Sequence, residues 1–166
     1  MPSTNQGPVR HPRPLFPENG ENEALELERF LPYRLSIVSQ AVSAALAKLY
    51  AARFGLTVPQ WRVMAVLGRF QPLSANQVCD KTLMDKVAVS RAVTALLRRQ
   101  LVERQIDTQD RRRSALRLTR KGSAIHRQIT PLALGYERQL LGALSPAERV
   151  GLETALTKLI QRALKA

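Results

Sequence analysis

Arg111, Arg112 and Arg113 follow one another in the string DTQDRRRSALRLTRKG, residues 107–122, set between two carboxylates and a short apolar alternation. A guanidinium stays charged at any physiological pH and presents a planar fork of donors, so such a run suits the binding of phosphates or base edges and not the movement of protons. A second set lies just upstream. Lys86, Ser90, Arg91, Thr94 and Arg98 fall on one side of a helix by their spacing, and each side chain can donate hydrogen bonds. Neither set is catalytic equipment. The chain has no Gly-rich phosphate loop, no nucleophile elbow and no pair of carboxylates spaced for acid and base work, so an enzyme is not expected.

The totals agree with a binding role. Lys and Arg number 26 against 13 Asp and Glu, a net charge of +13, and the commonest partner for such a charge is nucleic acid. Residues 81–121 hold 12 basic and 4 acidic side chains, a net of +8, so the excess is a patch and not a uniform coat. No apolar run approaches the roughly 18 residues of a membrane span, and the N-terminus lacks the charged start and apolar block of a signal peptide. The expected location is the cytoplasm, with no membrane partner. Cys79 is the single cysteine, which excludes an intramolecular disulfide and a cysteine zinc cluster. His11 and His126 each stand alone, so no metal or other cofactor is expected.

The elements that must position these side chains are marked by caps and periodicity. Residues 1–28, with five prolines among the first 17, are expected to be a disordered tail. Leu31, Leu35, Val38, Val42, Ala45, Leu49 and Ala52 recur at alternating steps of four and three before Gly55, which predicts a long helix with a packing seam over 29–54. Thr57 with Gln60 and Ser74 with Gln77 are capping boxes, flanked by the apolar pairs Leu56/Trp61 and Leu73/Val78, so helices are expected over 58–70 and from Ser74 to about Thr82. The chain restarts at Asp85. Val89, Val93, Leu96, Leu97 and Leu101 then form a buried face opposite the polar set. A short helix, a brief break and a longer helix with a basic outer face is a helix-turn-helix, whose second helix meets base edges with Lys86, Ser90 and Arg91, while Arg98 and Arg99 fall near phosphates.

VERQI (102–106) and SALRL (114–118) alternate as strands around the arginine loop, which makes a hairpin and completes a winged helix over 55–119. An arginine at the hairpin tip can enter the narrow minor groove. The region 120–166 is helical again, with one stripe of Ile125, Ile129, Leu132, Tyr136, Leu140 and Leu144, bent near Pro131, and another of Leu152, Leu156, Leu159 and Ala163 after the cap Ser145, Pro146 and Glu148. These stripes and the first helix exceed what one small winged helix can cover. The expected fold is therefore mainly α with a small β-hairpin wing, a winged helix-turn-helix carrying N- and C-terminal dimerisation helices, and the expected partners are double-stranded DNA and a second copy of the chain.

The string LVERQIDTQDRRRSALRLTRKG, residues 101–122, resembles the wing signature of the MarR family of bacterial transcription regulators: a Leu-Val-x-Arg entry, an Asp-x-x-Asp-Arg-Arg loop and a Leu-Thr-x-x-Gly exit. DKVAVSRAVTALLRR (85–99) is similar to the family's recognition helix and LTVPQWRVMAVL (56–67) to its second helix. The resemblance covers about residues 30–166. It implies that Arg91 reads the major groove, that Arg112 enters the minor groove, and that Arg111 and Arg113 touch phosphate or brace the loop, with Asp107 and Asp110 orienting them. Gln100 departs from the pattern, standing where the family has the glycine that closes the recognition helix, so a differently built turn is expected there.

The resemblance also implies a homodimeric repressor of a palindromic promoter site, released by a small-molecule effector. Tyr33, Arg34, Tyr50, Arg53, Trp61 and Arg62 are the candidate effector residues, aromatics for stacking and arginines for an anion, suited to an aromatic carboxylate or an acyl-CoA thioester. Some relatives sense oxidants through cysteine, but Cys79 is expected against the core, where a thiol is ordinary packing. The alternative function is a non-sequence-specific architectural DNA- or RNA-binding protein, which the same charge would serve.

Overall fold

Local capping chemistry sets the element boundaries in the computed structural model, which describes residues 25–106 and 114–165. The elements are α1 (Leu31–Phe54), α2 (Val58–Phe70), α3 (Ala75–Thr82), α4 (Lys86–Arg98), β1 (Val102–Ile106), β2 (Ser114–Leu118), α5 (Arg120–Leu141) and α6 (Pro146–Ala163). Contacts divide the chain into two units, Met1–Val42 and Ser43–Ala166.

In the first unit, the expected tail lies outside the described residues as far as residue 24. Phe30 N donates to the Glu26 carbonyl at 3.0 Å, forming a turn that leads directly into α1. Leu35, Ile37 and Val38 on the first turns of α1 are exposed.

The second unit holds the core. Thr57 accepts from Gln60 N at 3.4 Å while the Gln60 side chain accepts from Thr57 N at 3.0 Å, and Ser74 and Gln77 repeat the exchange at 3.2 and 2.8 Å. Both boxes satisfy donors that a helix start would otherwise orphan. The apolar pairs flanking them, Leu56 with Trp61 and Leu73 with Val78, are all buried. α1 contributes Tyr50 to this core, with Leu46, Ala47 and Phe54 partly buried beside it. That face is not the expected seam: Leu49 and Ala52 of the seam are exposed. α1 thus carries two apolar faces, of which only the Tyr50 face enters the core among the described residues. This also corrects the expectation that no stretch approaches membrane-span length, since α1 is long and apolar enough by length and composition. Ser36, Ser39, Gln40, Ser43 and Lys48 interrupt it and hide the run from a search for unbroken apolar sequence.

β1 and β2 pair antiparallel, from Val102 opposite Leu118 to Ile106 opposite Ser114. Leu116 and Leu118 point into the core and Arg117 outward, the period of two expected of a strand with one wet face. A third short strand position joins them. Leu116 N donates to the Leu73 carbonyl at 2.7 Å and Leu73 N to the Leu116 carbonyl at 3.2 Å, so the wing is tied to the loop before α3.

Thr119 caps α5 by accepting from Gly122 N at 3.0 Å, and its hydroxyl also donates to the Gln100 carbonyl at 2.8 Å. A Cβ at Gly122 would overlap the Leu101 carbonyl oxygen. The Leu-Thr-x-x-Gly exit is therefore a packing device: Leu118 fills the core, Thr119 joins two turns, and Gly122 lets α5 press against the end of the α4 turn. α5 runs past Pro131 with Ile129 fully buried, whereas α6 has no buried residue.

Candidate nucleic-acid interface

α4 is oriented by the turn before it. Thr82 Oγ1 donates to the Val78 carbonyl at 2.7 Å, Leu83 takes a left-handed φ of 52°, and Asp85 caps α4 by accepting from Ala88 N at 2.7 Å. The helix then buries Val89, Ala92, Val93 and Leu96. Its opposite face is open. Lys86, Ser90, Arg91, Thr94 and Arg98 are all exposed, and among the described residues none of their side chains makes a hydrogen bond or an ion pair. Five donor-bearing side chains share one face of an anchored helix with no internal acceptor, which is the condition for reading an external one.

A cavity of about 140 Å³ opens where α3, α4 and β1 meet, lined by Asn76 and Cys79 from α3, Lys86, Ser90 and Thr94 from α4, and Arg104 from β1. Asn76 and Arg104 join the basic face through tertiary contact, and no local pattern announces them. Cys79 is half-buried and packs against the core, as expected. Arg111, Arg112 and Arg113, with Asp107 and Asp110, lie outside the described residues.

Two expectations are corrected at the end of α4. Arg99, expected near phosphates, turns inward: its Nη1 donates to the Gly55 carbonyl at 2.8 Å and its Nη2 to the Phe54 carbonyl at 2.6 Å. The last carbonyls of a helix lack partners and carry partial negative charge, so a guanidinium is a fitting C-terminal clamp for α1. Gln100, expected to force a different turn, adopts φ 54° all the same. Gln100 N donates to the Leu97 carbonyl and Leu101 N to the Leu96 carbonyl, both at 2.9 Å. That is the Schellman pair a glycine would make, with Leu101 and Leu96 both buried in the core.

The aromatic candidates form a second cluster. Tyr50 is 1% exposed and Trp61 8%. Their ring centroids lie 5.6 Å apart, and Trp61 stacks on His126 at 5.7 Å. The His126 ring covers Gly68, where a Cβ would overlap it. His126 is the member that sequence reasoning misses, because a lone histidine on a polar helix carries no local signal. Burial holds its imidazole below the ordinary value, and burial likewise raises the Tyr50 phenol against the opposing field of Arg62. Arg62 Nη2 donates to Ser43 Oγ at 3.1 Å, and Arg53 Nη2 to Gln128 Oε1 on α5 at 3.0 Å. Tyr33 and Arg34 are exposed on the first unit. No group of three metal-binding side chains occurs among the described residues.

Two capped helices, a turn, an open basic helix face and a two-stranded wing define a winged helix-turn-helix protein. Residues 54–113 match the family model described as MarR family. The HTH-type transcriptional repressor NicR of Pseudomonas putida is 30% identical over 105 residues, 63% of this chain and 66% of that repressor's length, just under two thirds. The MarR/EmrR family transcriptional regulator from Acinetobacter has 25% identity and a TM-score of 0.79, covering 86% of this chain and 100% of that one. Bordetella bronchiseptica BpsR, whose DNA binding is regulated by 6-hydroxynicotinic acid, has 26% identity and a TM-score of 0.73, covering 82% of this chain and 97% of its own. Residues 54–113 carry the MarR-family match, and the solved structures that share the fold are MarR-family transcriptional regulators.

Proposed function

We propose that this chain is a cytoplasmic, homodimeric, sequence-specific repressor that occupies a palindromic promoter site and leaves it on binding a small aromatic effector. The observation that carries the DNA reading is the outer face of α4, where Lys86, Ser90, Arg91, Thr94 and Arg98 stand exposed and without partners among the described residues. Arg91 takes the base-reading role, Arg112 the minor groove, and Arg111 and Arg113 the adjoining phosphates.

Dimerisation belongs to 29–54 and 120–166, around a reading module of 55–119. α6 is an 18-residue helix with no buried residue, yet it exposes Val150, Leu152, Leu156, Leu159 and Ile160. A helix of that length draws its stability from packing an apolar face, so it needs a cover. The unused apolar face of α1, with Leu35, Val38 and Leu49, is the matching surface on a second copy. Joining the copies also gives a small reader two half-sites about one helical turn apart.

The effector class rests on Tyr50, Trp61, Arg53 and Arg62 with His126 added; Tyr33 and Arg34, in the first unit, are effector candidates by sequence alone. Aromatic surface beside guanidinium groups suits an aromatic carboxylate or its acyl-CoA thioester. The relative whose DNA binding is regulated by 6-hydroxynicotinic acid supports the same class.

Selection from a random duplex pool tests the reading. A palindromic site preferred by about 10³-fold or more over random duplex is expected; equal affinity for both would overturn it. Aromatic acids and their CoA esters are then screened for a raised melting temperature together with release of the selected duplex.

A further inference from the structure

Apolar side chains on an otherwise polar reading surface need an explanation, and α4 has one. Val87 is 58% exposed, whereas Val89 and Val93 of the same helix are buried. It is the second residue of α4, after the cap Asp85, and so lies in the N-terminal part that meets base edges. Its helical neighbours at three and four residues are Ser90 and Arg91, both exposed. Val87, Arg91, Thr94 and Arg98 continue at steps of four, three and four along one stripe, so the valine stands in line with the proposed base reader.

We propose that Val87 is a specificity determinant that packs against the C5-methyl group of a thymine in the major groove, one step from the base pair contacted by Arg91. The inference rests on the proposed reading of duplex DNA by α4. Its chemistry follows from the groove. Every polar position on a major-groove edge demands a donor or an acceptor, and thymine alone among the unmodified bases offers an apolar group there. A branched aliphatic side chain can satisfy none of the polar positions and would leave them dry and unpaired, so cytosine, guanine and adenine are disfavoured beside it. Charge complementarity supplies the occupant: residues 81–121 carry a net of +8, and the exposed cations Lys86 and Arg91 flank Val87 in sequence.

The test uses the full chain and the duplex selected from a random pool. Each thymine of the half-site is replaced in turn by deoxyuridine, which removes one methyl and keeps all base pairing. Wild-type affinity is expected to fall about fourfold per half-site at one thymine, the worth of one buried methyl. In Val87→Ser that loss is expected to vanish, while Val87→Thr, which keeps one methyl, retains part of it. Both substitutions fall on an exposed position, and circular dichroism and melting check that the fold survives. A deoxyuridine loss that is the same in Val87→Ser, or no loss at any thymine while the selected duplex still outcompetes random duplex, overturns the role of Val87 and leaves the DNA reading standing. Failure of the wild type to select any site overturns both.

Discussion

The turn that ends α4 stores strain that can be removed without touching a side-chain contact. Gln100 is exposed, its φ is 54°, and the hydrogen bonds of the turn are made by its backbone N–H and carbonyl. A left-handed conformation costs an L-residue about 1–2 kcal/mol, and glycine avoids that cost but gives back about 0.5–1 kcal/mol through its greater freedom in the unfolded chain. Gln100→Gly should therefore stabilise the protein by about 0.75 kcal/mol, within bounds of about 0 and 1.5 kcal/mol, or about 2 °C in melting temperature for a chain of this size. Urea denaturation at matched protein concentration, together with calorimetry, measures the gain, and Gln100→Ala serves as the control that should show none. The mirror substitution is Gly55→Ala, at φ 60°, which should lose about 1 kcal/mol or more. If Gln100→Gly melts at or below the parent temperature, the turn is not strained as described.

Arg99→Ala removes two charge-assisted bonds to the end of α1 and should destabilise the fold by about 1–3 kcal/mol. The slope of log affinity against log salt on the selected duplex should stay unchanged; a slope reduced by about 1 would return Arg99 to phosphate contact. His126 has a folded-state pKa below the 6.5 of an unfolded chain, so the unfolded state takes up its proton first. Stability is then full above that value and declines as pH falls from it through the folded-state pKa. Melting curves should show this decline in the wild type and a flatter one in His126→Gln; identical profiles would contradict the burial argument. Truncation after Leu144, which deletes α6, should give aggregates or a monomer that does not bind DNA, because in the proposed dimer α6 of one copy covers the unused face of α1 on the other. Size-exclusion chromatography showing a soluble dimer would contradict the assignment.

The features legible in the sequence were those whose partners lie within one helical turn or one strand period. Thr57 with Gln60, Ser74 with Gln77 and Ser145 with Glu148 give the starts of α2, α3 and α6, and the alternation of SALRL gives β2. The reading face of α4 follows from its period in the same way. What escaped depends on partners far along the chain. Arg99 finds its acceptors 44 and 45 residues away, and His126 stacks on Trp61 across the fold. The bridge between Leu73 and Leu116 has no local signature either. Val87 escaped for another reason: its spacing already sets it beside Arg91 and Thr94, but a lone apolar residue on a polar helix face carries no signal until its exposure is seen. On α1 the strict seam drew attention from the face of Leu46, Ala47, Tyr50 and Phe54, because both periodicities coexist in one apolar helix.

The central claim is that α4 reads sequence through Arg91. Its most direct test is the affinity of wild type and Arg91→Ala for the selected duplex and for random duplex, measured at one fixed salt concentration. The substitution should cost about 1–3 kcal/mol on the selected site and relax preference at one base pair, while binding to random duplex changes far less. Equal losses on both duplexes would make Arg91 a general electrostatic contact and contradict sequence reading by this helix.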